Sequence, residues 1–412
     1  MGKTPKVPFD GYTWRWASVQ PTEGLNVPPV FFGVLGAASE CEGKAKSSNE
    51  LFEALKRVEG DVVTRVPTSR VTLARDVERN VLRNSGQYWQ ALGLLEPTAG
   101  VIELTELGRE VASRRVSIHE FVVATIRTLK LPNQNLLTEE EVKNWKDAKI
   151  EIYPLRLILE IIIELYEIDP ESGYLTLREL CDVVVPLAGE AASVEQHLKA
   201  IITYREGHLS LAHWPNCFPK ANDRRSASEF LIFLANNGLL SVSDDRSRED
   251  RRYAISAGAT ETVEAVLSGT DEHDSVSAAV EHVKAEGVAP LIARARRTVE
   301  LLARPNQQAF RRAVLKHHGA ACMLTSEATP EVLTAAHIVH VRWGGPDEWT
   351  NGLPLRADVH TLWDLGLIQI HPDGNVNVDA RLTGTVSYSA LKKKIKLDAS
   401  VAANLDWRLR YE

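Results

Sequence analysis

Residues 335–364 read AAHIVHVRWGGPDEWTNGLPLRADVHTLWD. The stretch holds His337, His340 and His360, an asparagine before a glycine at Asn351, and an aspartate at Asp364. Its local pattern changes three times. VLTAAHIVHV (332–341) is rich in β-branched and apolar residues and predicts a strand. RWGGPDEWT (342–350) carries Gly344-Gly345-Pro346 and predicts a loop. NGLPLR (351–356) opens a second short extended piece, and ADVHTLWDLGLI (357–368) predicts a helix. Strand, loop, strand and helix make a ββα unit with polar residues at three separated points.

Those polar residues are chemically suited to one another. His360 and Asp364 are four apart, so they share one helical face and can grip a single metal ion. Hydrolysis of a phosphodiester needs a base to activate water and a cation to stabilise developing charge. His337, on the first strand, is the candidate base. Asn351 is uncharged and hydrogen-bonds well, so it can hold the base or the loop in place. His340, three residues beyond His337 on an unbroken strand, would face the opposite side. His317, His318 and His371 lie outside the unit and read as surface or packing residues. Trp343 and Trp349 read as packing residues of the loop.

The stretch resembles the HNH endonuclease family, through His337 in AAHI, Asn351 in NGLPL and His360 in DVHTLWD. The likeness extends upstream to FRRAVLKHHGAACMLTSE (310–327), where Ser326 replaces the glycine of a C-x-x-T-G turn, and downstream to DLGLIQIHPDG (364–374). The resemblance implies His337, Asn351 and His360 as catalytic residues, with His337 the general base and Asn351 orienting the loop. It implies His360 and Asp364 as ligands of one divalent ion, Mg²⁺ or else Mn²⁺, Ni²⁺ or Zn²⁺. In many relatives an Asp or His before the base also binds metal. Here that residue is Ala336, so water and phosphate oxygens would complete the shell. Arg356, Arg342, Arg311 and Arg312 are the candidate phosphate contacts.

Outward from the site, two segments share one order of elements. GQYWQALGLLEPTAGVIELTELGREV (86–111) and SEFLIFLANNGLLSVSDDRSREDRRYAISAGA (228–259) each read as a helix, a glycine near its end, then extended pieces around a polar turn. That is the order of a winged helix. The first, with GYTWRWASVQPTEGLN (11–26), resembles the tandem winged-helix recognition region of type IIS restriction enzymes. The matching residues are Trp89, Ala91, Leu92, Gly93, Leu94, Leu95, Glu96, Thr105 and Gly108. The expected fold class is α+β, a mostly helical tandem winged-helix region followed by a ββα-metal domain. The expected boundaries are 1–135 and 136–266 for the two winged-helix domains, 267–287 for a linker and 288–412 for the nuclease domain. Within the last, VAPLIARARRTVELLAR (288–304) predicts a helix with an arginine-rich face.

Bulk composition fits such a protein. The chain has 412 residues, 44% of them hydrophobic, enough for two or three cores. No apolar run approaches the ~20 residues of a membrane span. MGKTPKVPFDGYTWRW has no apolar segment of a secretory signal, and the four cysteines are scattered. Both features point to the cytoplasm and away from a disulfide framework. The net charge of −7 counts mildly against nucleic acid, but from Ala289 onward 16 Lys and Arg face 12 Asp and Glu.

The expected function is therefore a DNA endonuclease of restriction or phage-defence type, with DNA as partner and no membrane. A single site cuts one strand, so double-strand cleavage would involve a homodimer. Two other readings stay open. One is a DNA-binding regulator with an inactive HNH domain. The other is a defence nuclease that its N-terminal half switches on.

Overall fold

The computed structural model describes the chain except residues 1–3, 13, 15, 17–24, 66–71, 85, 99, 219–220, 244–245, 257–258, 269–304 and 412. Most of the expected linker and all of the expected helix at 288–304 thus lie outside the described residues. So does much of 11–26.

The N-terminal body is built around one helix. Pro28 and Pro29 start α1 (Pro28–Glu40), where a missing N–H costs nothing. Its residues are apolar almost all round and ten of them are buried, so other elements must enclose it. One of these is α2 (Asn49–Arg65). Gly33 permits the close approach, because a Cβ there would collide with Val58. Phe31 then stacks on Trp89 at 4.7 Å and on Phe121 at 5.2 Å between ring centroids. Buried side chains from Tyr12 to Val266 form one continuous cluster that crosses the expected boundary at 135/136.

The W-x-x-A-L-G…T-x-x-G residues have local jobs in this body. Gly93 takes a positive φ of 67° after the helix that carries Trp89. Thr105 is the N-cap of α3 (Glu106–Ala112). Its hydroxyl donates to the Gly93 carbonyl at 2.6 Å and accepts from Gly108 N–H at 2.9 Å. Gly108 lies so close to the Leu94 carbonyl that a Cβ would overlap it. The expected extended piece at 101–105 makes only isolated bridges, Leu95 to Leu104 and Val101 to Ala45.

The second copy forms a complete small sheet. It follows α4 (Pro154–Ile168), whose Leu155, Ile158, Leu159, Ile162 and Leu165 are buried at helical spacing. β1 (Tyr174–Leu175) comes next, and further on α5 (Ala221–Asn236) leads through Gly238, at φ 81°, into the hairpin β2 (Leu240–Val242) and β3 (Tyr253–Ile255). Sheet order is β1-β3-β2, all antiparallel. Arginines around it are matched by acids. Arg178 pairs with Glu249 and Asp250, Arg224 with Asp182 and Glu249, and Arg205 with Glu179.

The C-terminal unit begins with α6 (Pro305–His318). β4 (Leu333–His337) and β5 (Gly352–Arg356) pair antiparallel from Leu333–Arg356 to His337–Gly352, and α7 (Ala357–Asp364) follows. A hairpin of β6 (Ile368–Ile370) and β7 (Val376–Val378) and the closing helix α8 (Ala399–Tyr411) complete it. The unit has its own apolar cluster, from Cys322 to Leu405. Trp407 and Tyr411 of α8, with Val339 and Trp343, belong instead to the N-terminal cluster. Polar contacts reinforce that docking. Arg65 donates to Asn404, Tyr411 to Asp61, and Arg114 to the Leu409 and Arg410 carbonyls. The architecture is α+β, mostly helix with short antiparallel strands. No described helix is long and apolar enough to cross a membrane.

Candidate active site

Asn351 shapes the loop that carries the site. Its side chain is fully buried. The amide oxygen accepts from Val339 N–H at 2.8 Å, and the amide nitrogen donates to the Val339 carbonyl at 2.9 Å and the Pro346 carbonyl at 3.0 Å. This side chain takes the place of the next ladder pair. The first strand therefore ends at His337, short of the expected 341. His340 is consequently in a loop, exposed, and close enough to help lower the Asp364 pKa. The expectation that it faces the opposite side assumed a strand running to 341, and the strand alternation stops three residues before His340.

His337 stands at the end of β4 with its side chain 16% exposed. Its ring stacks on Phe310 of α6, 3.8 Å between centroids and 11° from parallel. Its Nε2 is 2.9 Å from Asp347 Oδ1, so the carboxylate fixes a tautomer protonated at Nε2 and leaves Nδ1 as the proton acceptor. Burial pushes the His337 pKa below 6.5, against the pull of Asp347 and with help from the nearby His360. The imidazole is thus neutral near pH 7, the form a general base needs.

His360 and Asp364 project together from α7, with Nε2 and Oδ2 3.2 Å apart. Ligands at about 2.1 Å and at right angles around one ion would lie about 3 Å apart, so this pair fits a shared divalent cation. The hydroxyl of Thr334 donates to the Leu355 carbonyl, so its oxygen accepts from His360 Nδ1–H at 3.2 Å. With Nδ1 held by Thr334, Nε2, which faces Asp364 Oδ2, is the nitrogen that would bind the ion in exchange for its proton. Neighbouring groups strip water from part of the Asp364 carboxyl, whose side chain is 43% exposed, and so disfavour its charge, yet His360, Arg408 and His340 outweigh this and hold the carboxyl well below the usual range. Ala336, the residue before His337, is fully buried among apolar side chains.

Arg408 comes from α8, far along the chain, and joins the two halves of the site. It donates to the His337 and Ile338 carbonyls at 3.3 and 3.1 Å and to Asp364 Oδ1 at 3.2 Å. Its guanidinium lies over the Trp363 ring at 4.1 Å. His360 and Arg408 thus hold different oxygens of one carboxylate. Sequence reasoning missed Arg408, Asp347, Thr334 and Phe310. A helical face joining Phe310, Val314 and His318 could have shown the third helix; nothing local marks Arg408.

The arginines proposed from sequence are placed differently. Arg356 closes its fork on the buried Asp358 through Nε and Nη2, at 2.6 and 2.8 Å. The expectation overlooked that a bidentate partner lay two residues away. Arg311 donates to the Pro330 carbonyl at 2.8 Å, tying α6 to the turn before β4, while Arg312 is exposed. The Arg342 side chain lies outside the described residues. Trp343 is buried in the N-terminal cluster, and Trp349 packs under His317.

No curated protein matches the chain significantly. The family model HNH_2, described as HNH endonuclease, matches residues 322–371. These residues span β4, β5, α7 and β6 and include His337, Asn351, His360 and Asp364, so the C-terminal unit carries an HNH endonuclease domain.

Proposed function

We propose that this protein is a metal-dependent DNA endonuclease of restriction or phage-defence type. The observation that carries the reading is the arrangement inside the matched segment. A neutral histidine oriented by a carboxylate stands beside a histidine–aspartate pair suited to one divalent ion. His337 takes a proton from water as the water oxygen bonds to phosphorus. Asp347 stabilises the imidazolium that results. The phosphorus–O3′ bond breaks, the departing O3′ takes a proton from solvent water, and the products are a 5′-phosphate and a 3′-hydroxyl. His360 and Asp364 would hold the cation. When bound, a divalent ion supplies charge stabilisation for the phosphorane and the leaving oxygen. Asn351 and Arg408 act through position, fixing the loop beyond His337 and the Asp364 carboxylate.

The N-terminal body is read as the part that selects DNA. The β1-β3-β2 sheet behind α5 supports a winged-helix unit there. A second reading, in which this body switches the nuclease on, is favoured by one observation. A cleft of about 100 Å³ lies where Ser117 and His119 of the N-terminal body meet Asp364, Leu365, Gly366 and Arg408. Whatever moves those N-terminal residues moves the neighbours of a metal ligand.

The test is incubation of the full chain with supercoiled plasmid and with phage DNA in Mg²⁺, Mn²⁺ or Ni²⁺. We expect cleavage that EDTA abolishes and that His337→Ala lowers about 10²–10⁴-fold. Undiminished cutting by His337→Ala and His360→Ala would remove these residues from the mechanism.

A further inference from the structure

The expectation that His317 and His318 are ordinary surface or packing residues leaves their geometry unexplained. α6 presents Phe310, Val314 and His318 at four-residue steps, one face of a helix. Phe310 covers His337, and Phe310 and Val314 close over Gly352, the β5 partner of His337. At the end of that face His318 Nε2 is 3.3 Å from the Trp349 carbonyl oxygen. His317 lies beside it, the two rings edge-on at 4.9 Å between centroids. Its ring stacks on Trp349, 3.4 Å between centroids, and its Nε2 is 3.0 Å from Asp398 Oδ2.

One ligand atom each from His317, His318 and Asp398 lies within 4.8 Å of the other two. Among the described residues, no other three His, Cys, Asp or Glu side chains meet that condition. The His360–Asp364 pair does not reach three. We propose that His317, His318 and Asp398 bind a second divalent cation, separate from the one at the nuclease site.

Two imidazoles and one carboxylate are the donor set of zinc and its first-row neighbours rather than of magnesium. Zinc bonds of about 2.0–2.2 Å place tetrahedral ligands roughly 3.3 Å apart. The His317–Asp398 pair, at 3.0 Å, is already close to that spacing, and His318, with a ligand atom within 4.8 Å of both, would close on the ion by leaving the Trp349 carbonyl. His317 and Asp398 are 38% and 56% exposed, so water can occupy the fourth position.

The position gives the ion a structural task. It joins the last turn of α6 to Asp398, immediately before α8. α6 carries Phe310, and α8 carries Arg408, and these two side chains touch His337 from different helices. A cation here staples together the two helices that frame the base. The inference does not depend on cleavage, since its readout is metal bound.

The experiment uses the 412-residue chain carrying His360→Ala, which silences the proposed nuclease ligand pair. After chelation the protein is dialysed against Zn²⁺, and bound metal is measured by elemental analysis, with Co²⁺ absorption as a second reading. We expect about one Zn²⁺ per chain. Adding His317→Gln should remove it, and so should Asp398→Asn, while far-UV circular dichroism stays unchanged. Zn²⁺ should also raise the melting temperature of the His360→Ala protein but not that of either double variant. Failure of the His360→Ala protein to bind Zn²⁺, or full binding after both substitutions, would overturn the proposal and leave His317–Asp398 an exposed ion pair.

Discussion

Two sequence patterns stand out in this chain, and the structure uses them in opposite ways. The W-x-x-A-L-G…T-x-x-G residues of the N-terminal body are buried, capping or in tight turns. Trp89 is fully buried, Thr105 caps a helix, and Gly108 lies against a carbonyl. In the C-terminal unit the polar residues converge instead, with His337, Asp347, His360 and Asp364 facing one another electrically. The first pattern specifies a fold, and its presence says little about which base is read. The second gathers partly buried ionisable groups, which are costly to bring together and concentrate at functional sites.

That contrast can be broken by substitutions in either region. The largest expected effect on folding is in the first. Trp89→Ala should destabilise the protein by about 3–5 kcal/mol, since it empties a fully buried site against Phe31. Chemical denaturation measures it; a loss under about 1 kcal/mol would mean that the site collapses or that Trp89 is not core. Next comes Asn351→Ala, which strands the Val339 backbone pair inside the core. It should cost about 2–3 kcal/mol and slow cleavage as the loop loosens. A purely chemical role for Asn351 predicts slowed cleavage with unchanged denaturation.

Thr334→Val keeps shape but removes the acceptor for His360 Nδ1–H. Metal affinity at the nuclease site should fall about 10–100-fold, measured by calorimetry with Mn²⁺. Unaltered affinity would show that Thr334 does not set the His360 tautomer. The smallest effect is expected at Asp347. This carboxylate raises the His337 pKa against burial, which lowers it. The base works unprotonated, so the acid limb of the pH–rate profile lies below pH 6.5 in the wild type. Asp347→Asn removes the raising influence, and the limb should move to still lower pH while the plateau rate drops. A limb that moves upward would reverse the assigned sign.

The legibility of the chain follows the same division. The ββα unit could be read because each piece carries its own local signal, including β-branched runs, Gly344-Gly345-Pro346, and the His360–Asp364 spacing. The end of β4 could not, because a buried side chain from Asn351 replaces the ladder there. Asp347 sits in a loop with no periodicity, and Arg408 reaches the site because α8 packs on the C-terminal cluster through Val401 and Leu405 while also docking against α1. Such contacts depend on packing between distant segments, which no local pattern records. Buried side chains on both sides of the expected division at 135/136 join one cluster for a related reason. α1, apolar on nearly every side, holds aromatic side chains from several segments around it.

The central claim is that His337 is the proton acceptor in a hydrolytic cut. His337→Gly leaves a space beside Phe310 that free imidazole can fill. Cleavage of plasmid DNA by this variant, measured with and without added imidazole at constant Mg²⁺, is the direct test. The account predicts near-zero cleavage alone and recovery that rises with the concentration of neutral imidazole. Wild-type cleavage by the glycine variant without imidazole would contradict it.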